Sequence, residues 1–226
     1  MFIYLLMGAV FILSIVVQNS LKSKFAKYSQ VPLAVPMRGQ DIAREMLNQN
    51  GCSDVQVTSV KGQLTDHYNP SNRTVNLSDP VYGTNSIAAA AVAAHECGHA
   101  LQHKVGYSML QLRTKMVPIV SFASNIVQWL LLAGILLLQF NAIPLYIAIA
   151  LFATTVAFSF VTLPVEVDAS RRAIKWLEGS GLASGEQLTQ AKDALHAAAY
   201  TYVVAAIGSL ATLLYYVSLA FGGRRN

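Results

Sequence analysis

The stretch His95-Glu96-Cys97-Gly98-His99 carries the sharpest chemistry in the chain. Histidines at i and i+4 lie on one face of a helix, so both imidazoles can reach one ion. The glutamate beside the first histidine is placed to take a proton from a water on that ion, the arrangement used in metal-dependent peptide hydrolysis. The residues before His95 are mostly alanine, which marks a buried helix. Two histidines and a glutamate in such a helix need partners, and a metal supplies them.

A catalytic zinc wants three protein ligands and one open position. His103, at i+8, lies about 6 Å beyond His99 at 1.5 Å per residue, too far along the helix for the same ion. His67 reads as a surface strand residue. Cys97 is about 200° round the helix from His95 and reads as a small packing residue. The best candidates for the third ligand are acids, Glu166 and Asp168, in Leu163-Pro164-Val165-Glu166-Val167-Asp168-Ala169-Ser170-Arg171-Arg172. Ionisable residues so close to an apolar run usually have a specific partner. Glu166 is the favoured ligand. Asp168 fits a group that holds a ligand imidazole by its free N–H. The plainer alternative for either acid is pairing with Arg171 or Arg172 on the same helix.

The elements that must position these groups follow from hydropathy. Of 226 residues, 54% are hydrophobic and 12% charged, against about 25% charged in an average soluble domain. Mean hydropathy is +0.44. This composition excludes disorder, a nucleic-acid tail and most ordinary soluble enzymes. Four apolar runs stand out: Phe2–Val17, Val117–Phe140, Pro144–Leu163 and Ala197–Phe221. A bilayer core needs about 20 apolar residues as helix. The first run lacks a basic leader and a small-residue cleavage site, so it reads as an uncleaved anchor. The middle two are joined only by Asn141-Ala142-Ile143, which demands a tight helical hairpin. Of the 16 lysines and arginines, all but Arg224 and Arg225 fall in two segments, between the first and second runs and between the third and fourth. Those segments should face the cytoplasm. Arg224 and Arg225 disagree, ending the chain on the outer side. Cys52 and Cys97 are too few for a disulfide framework and suit a reducing compartment.

The larger polar segment should hold a helix over Gln40–Asn50, a strand over Val55–Val60, and a hairpin of Leu64–Tyr68 with Arg73–Leu77 around Asn-Pro-Ser-Asn. Ser86 reads as the N-cap of a long helix, Ile87–His103. In the smaller segment Pro164 suits the first turn of a helix running to about Leu177. Ser184-Gly185-Glu186-Gln187 matches a capping box that starts a helix continuing into the fourth run. The organisation expected is an anchor (1–18), a lobe with the His-Glu helix (19–116), a transmembrane hairpin (117–163), helices carrying the third ligand (164–196) and a last transmembrane helix (197–222). The fold class is a mainly α membrane protein with a small α+β zincin-like lobe.

Tyr28-Ser29-Gln30-Val31, Leu64-Thr65-Asp66-His67-Tyr68, Ser86 to His99, Leu163 to Ala173 and Thr201-Tyr202-Val203 together resemble the bacterial YugP-like neutral zinc metallopeptidases over nearly the whole chain. The resemblance implies a membrane-anchored zinc peptidase of the inner membrane. More distantly, the site is similar to that of HtpX-type and CAAX-prenyl proteases, whose third ligand is the Glu of a Glu-x-x-Ala-Asp helix. That pattern puts Glu166 on the ligand, Ala169 on the alanine and Ser170 on the final aspartate, a departure for which Asp168 is the candidate replacement. The implied roles are zinc binding by His95, His99 and Glu166, and proton transfer by Glu96. Tyr202 and His196 are candidate oxyanion donors, and both also suit anchoring at the membrane–water boundary. An edge strand near the metal helix should pair with extended substrate, and Arg73–Leu77 is the expected strand.

These readings converge on a zinc endopeptidase cleaving protein or peptide substrates at the cytoplasmic membrane surface, with the bilayer as its second partner and no nucleic acid. Substrate identity and oligomeric state are not encoded in any motif. A rival keeps the metal and drops catalysis, giving a membrane scaffold with structural zinc. Glu96 argues against it, because a structural site has no use for a general base. A transporter is disfavoured by the uncharged second and third runs.

Overall fold

The computed structural model describes residues 2–222, so Arg224 and Arg225 lie outside the described residues. The chain is mainly helical, with one small sheet. In order it forms α1 (Phe2–Tyr28), α2 (Gly39–Gln49), β1 (Gln56–Val60), β2 (His67–Asn69), β3 (Thr74–Ser78), α3 (Asp79–Tyr82), α4 (Ile87–Lys104), α5 (Ser108–Leu136), α6 (Ile143–Gly179) and α7 (Gly185–Gly222). Four of these helices, α1, α5, α6 and α7, are long and apolar enough to cross a membrane.

The chain divides into two compact units. The first holds residues 2–16, Gln111–Leu163 and 201–222. Its helices leave large apolar side chains such as Phe11, Phe122, Trp129 and Phe221 exposed, the surface expected of helices solvated by lipid. The α5–α6 hairpin is as tight as its short polar link requires. A Cβ at Gly134 would stand 2.7 Å from the backbone of Leu145, so only glycine permits this approach. Asn141 closes the turn by accepting from the Ile143 N–H at 2.9 Å.

The second unit holds Val17–Leu110 and Pro164–Tyr200. Its core joins Ile42, Met46 and Leu47 of α2 with Val75 and Leu77 of β3, the alanine face of α4, and Leu177 and Leu195. Ser86 caps α4 as expected, its hydroxyl accepting from the Ala89 N–H at 3.1 Å. Small side chains along α4 let its neighbours come close, which is how one helix can be buried on nearly every side.

Helix α1 continues past the first apolar run, unbroken to Tyr28. There Lys24 and Tyr28 both bond the Asp193 carboxylate of α7, at 2.6 and 2.7 Å. Pro164 does not begin a helix. It lies inside α6, which runs through it without a break. An interior proline forfeits one backbone bond, and complete burial of Val165 and Ala169 just beyond it offsets that loss. A second correction, beside Pro164, concerns the sheet. Its order is β1-β3-β2, with β1 parallel and β2 antiparallel to β3. Residues Arg73–Leu77 therefore supply the central strand rather than an edge. All five residues of β3 are buried, and a strand so placed takes a neighbour on each side. The short helix α3 had no periodicity to announce it.

Candidate metal centre

Helices α4 and α6 cross where Gly98 faces Ala169. A Cβ at Gly98 would lie 2.5 Å from the Ala169 carbonyl oxygen and 3.0 Å from its Cα. The two backbones touch, and the residues around the crossing turn toward one another. His95 Nε2 stands 3.2 Å from Glu166 Oε2, and His99 Nε2 stands 3.6 Å from the same oxygen. The imidazoles meet edge to face with centroids 4.9 Å apart. One donor atom from each of His95, His99 and Glu166 lies within 4.8 Å of the others. Tetrahedral ligands at ordinary Zn–N and Zn–O bond lengths sit about 3.3 Å apart. The donor set and its spacing therefore fit a single zinc ion.

The far sides of both imidazoles are also held. His95 Nδ1 is 3.0 Å from the Ser170 hydroxyl. His99 Nδ1 is 3.0 Å from Gln102 Oε1. With each Nδ1 so engaged, each Nε2 is left for the ion. Asp168 does not touch an imidazole. It accepts from Gln102 Nε2 at 2.9 Å and from Arg172 Nε at 2.6 Å, so it reaches His99 only through Gln102. That corrects the expectation of direct contact. The reason is helical phase: Ser170 is four residues from Glu166 and shares its face, whereas Asp168 is two residues away and does not.

Glu96 is buried beside this group. Its carboxyl is held at about 7: burial raises it most, His95 lowers it, Glu166 and Asp66 raise it, and the backbone N–H of Tyr68 lowers it by donating to it. Tyr68 lies on β2, so the Glu96 carboxyl is anchored to the strand that forms one edge of the sheet. Among the described residues no strand pairs with the outer side of β2. Cys97 turns away as expected, with Sγ 3.5 Å from the Ala43 carbonyl. Burial pushes its thiol well above the ordinary range. His103 bonds the Tyr68 hydroxyl at 2.7 Å, and exposed His67 bonds the Thr65 carbonyl. Neither joins the group. His196 is exposed on α7. Tyr202 is half-buried on α7, in the first unit.

Gln102 is the residue that sequence reasoning passed over. It is fully buried. Its signal was weak, a lone amide three residues past the second histidine, and nothing in its spacing says what it meets on α6.

Residues 3–221 match the family model described as "Putative neutral zinc metallopeptidase". The chain is 45% identical over 224 residues to "Putative membrane protease YugP" of Bacillus subtilis (strain 168), covering 99% of this chain and 98% of that protein. No solved structure matches it. With a family model spanning nearly every residue and a relative of this identity along its whole length, the chain belongs to the family described as "Putative neutral zinc metallopeptidase".

Proposed function

We propose that the protein is a membrane endopeptidase in which His95, His99 and Glu166 hold one zinc ion and Glu96 is the general base. The observation that carries this reading is the convergence of two Nε2 atoms on one Glu166 oxygen, with a fourth side chain, the second carboxyl Glu96, buried alongside. A purely structural zinc site would have no use for that fourth group. Bound zinc supplies a Lewis acid for the scissile carbonyl. Glu96 takes a proton from the attacking water and later passes it to the leaving amine. A carboxyl held near neutrality suits both halves of that transfer.

Extended substrate pairs with the open edge of β2, the strand whose Tyr68 N–H holds Glu96, rather than with Arg73–Leu77. The lobe faces the cytoplasm and the protein resides in the bacterial inner membrane. The distribution of lysine and arginine between the apolar helices supports that orientation. Substrates are proteins or peptides reaching the membrane surface.

The test is zinc per chain in detergent-purified wild type, Glu166→Ala, Asp168→Ala and Glu96→Gln, measured beside casein hydrolysis. About one zinc in wild type, lost in Glu166→Ala and kept in Glu96→Gln, with hydrolysis lost in both, is the expected result. Zinc lost in Asp168→Ala but kept in Glu166→Ala would give the third position to Asp168 and overturn the assignment of Glu166. Hydrolysis surviving Glu96→Gln would leave the scaffold reading in its place.

A further inference from the structure

We propose that Gln102 is a positioning residue of this centre, fixing the tautomer of His99 so that Nε2 offers its lone pair to the metal. The inference rests on the zinc reading above and adds to it a residue with no ligand role. The argument starts from the amide. Gln102 Nε2 lies 2.7 Å from the Val165 carbonyl oxygen and 2.9 Å from Asp168 Oδ2. Both are acceptors, so the NH2 group must face them. Reversing the amide would set three oxygens against one another in a buried site, which leaves acceptors unpaired at considerable cost. The orientation is therefore fixed, and Oε1 must face His99.

From there the chain of roles continues. Oε1 can only accept, so the His99 Nδ1 facing it at 3.0 Å carries the hydrogen. The neutral ring then has its lone pair on Nε2, on the side of His95 and Glu166. Arg172 holds Asp168 in turn, with Nε donating at 2.6 Å. The relay thus runs Arg172, Asp168, Gln102, His99, each donor and acceptor determined by the one before. His95 has no such constraint. Its Nδ1 partner is the Ser170 hydroxyl, which can donate or accept and so selects neither tautomer. Of the two imidazoles, His99 is the one whose Nδ1 partner fixes the position of the hydrogen.

Two substitutions separate this role from simple packing. Gln102→Met keeps the volume and removes the acceptor. Gln102→Glu keeps an acceptor for the His99 Nδ1–H and loses the donation to Val165 and Asp168. Zinc affinity is measured by chelator competition, and thermal stability is measured on the full-length protein in detergent with chelator present. Gln102→Met should weaken zinc about 10- to 100-fold, the usual effect of removing a ligand's outer partner. Gln102→Glu should bind zinc within about threefold of wild type even though its metal-free melting temperature falls, since a carboxylate serves equally as the imidazole's acceptor. Wild-type affinity in Gln102→Met, or equal losses in both variants, would overturn the tautomer role. Should Gln102→Met not fold, affinity lost in Gln102→Glu would overturn it alone. Wild type that binds no zinc would overturn the underlying site reading and this one with it.

Discussion

Replacing Gly98 by alanine tests whether the helix crossing sets the geometry of the centre. The new Cβ would lie 2.5 Å from the Ala169 carbonyl oxygen, and ordinary contact begins at 3.4 Å, so α4 and α6 must part by about 0.9 Å. The obstacle is backbone, which cannot swing aside as a side chain would. Overpacking of this kind costs about 1–3 kcal/mol. Against it stands the gain of about 1 kcal/mol from replacing glycine with alanine inside a helix. Metal-free stability should therefore change little, because the helices can settle slightly apart. Zinc removes that freedom, since its bonds tolerate only about 0.2 Å. Binding must pull the helices back against the methyl group, and 1–3 kcal/mol then appears as about a 5- to 150-fold loss of affinity. The assay is chelator competition for zinc beside thermal melts in detergent with chelator. Wild-type zinc affinity in Gly98→Ala would refute the reasoning, because the ligands on α4 and α6 would then not depend on how closely those helices approach.

The buried Glu96 gives a pH dependence whose sign is fixed. Its carboxyl is held at about 7 in the fold, against an ordinary value of 4.5, so the folded state binds the proton more tightly. Its contribution is fully present below pH 4.5 and is lost as pH rises to 7, by about 3 kcal/mol at most. Metal-free Glu96→Gln should therefore be more stable than wild type at pH 8 and gain little at pH 5; parallel melting curves at the two pH values would contradict this. Ser86→Ala removes the hydroxyl that caps α4 and should lower stability by about 1 kcal/mol, read as a drop in melting temperature. An unchanged melt would mean that the first turn of α4 is held by its packing alone.

The sequence made some of this legible because certain signals are local. A two-histidine helix with Ser86 before it needs nothing beyond 3.6-residue periodicity to be placed, and α4 begins where the cap predicts. Apolar length marked the four long helices for the same reason. What sequence reasoning lost was set by partners distant in the chain. Arg73–Leu77 looked like an edge because a hairpin has only two strands; that β1 closes its other side in parallel is a tertiary fact. Pro164 read as a helix start because propensity makes it one, and burial of the residues after it overrides that preference. Asp168 was expected against an imidazole on the strength of its charge, while the shared helix face gave that place to Ser170.

The crossing of α4 and α6 explains why the five-residue motif is so compact. His95 and His99 lie three residues before and one after Gly98. Glu166 and Ser170 lie three before and one after Ala169. The same offsets on both helices bring two imidazoles, a carboxylate and the hydroxyl that bonds His95 to one point, without any loop to hold them. Within the motif each remaining residue faces a different element. Glu96 meets the backbone of β2, Cys97 meets α2 at Ala43, and Gly98 meets α6. The positions between the histidines are thus joints by which one helix is fixed to three of the elements around it. A larger residue at Gly98 would push α6 away, and a polar one at Cys97 would need a partner among buried carbonyls. Spacing alone places the histidines on one face; what the intervening residues can touch decides whether a third ligand arrives there.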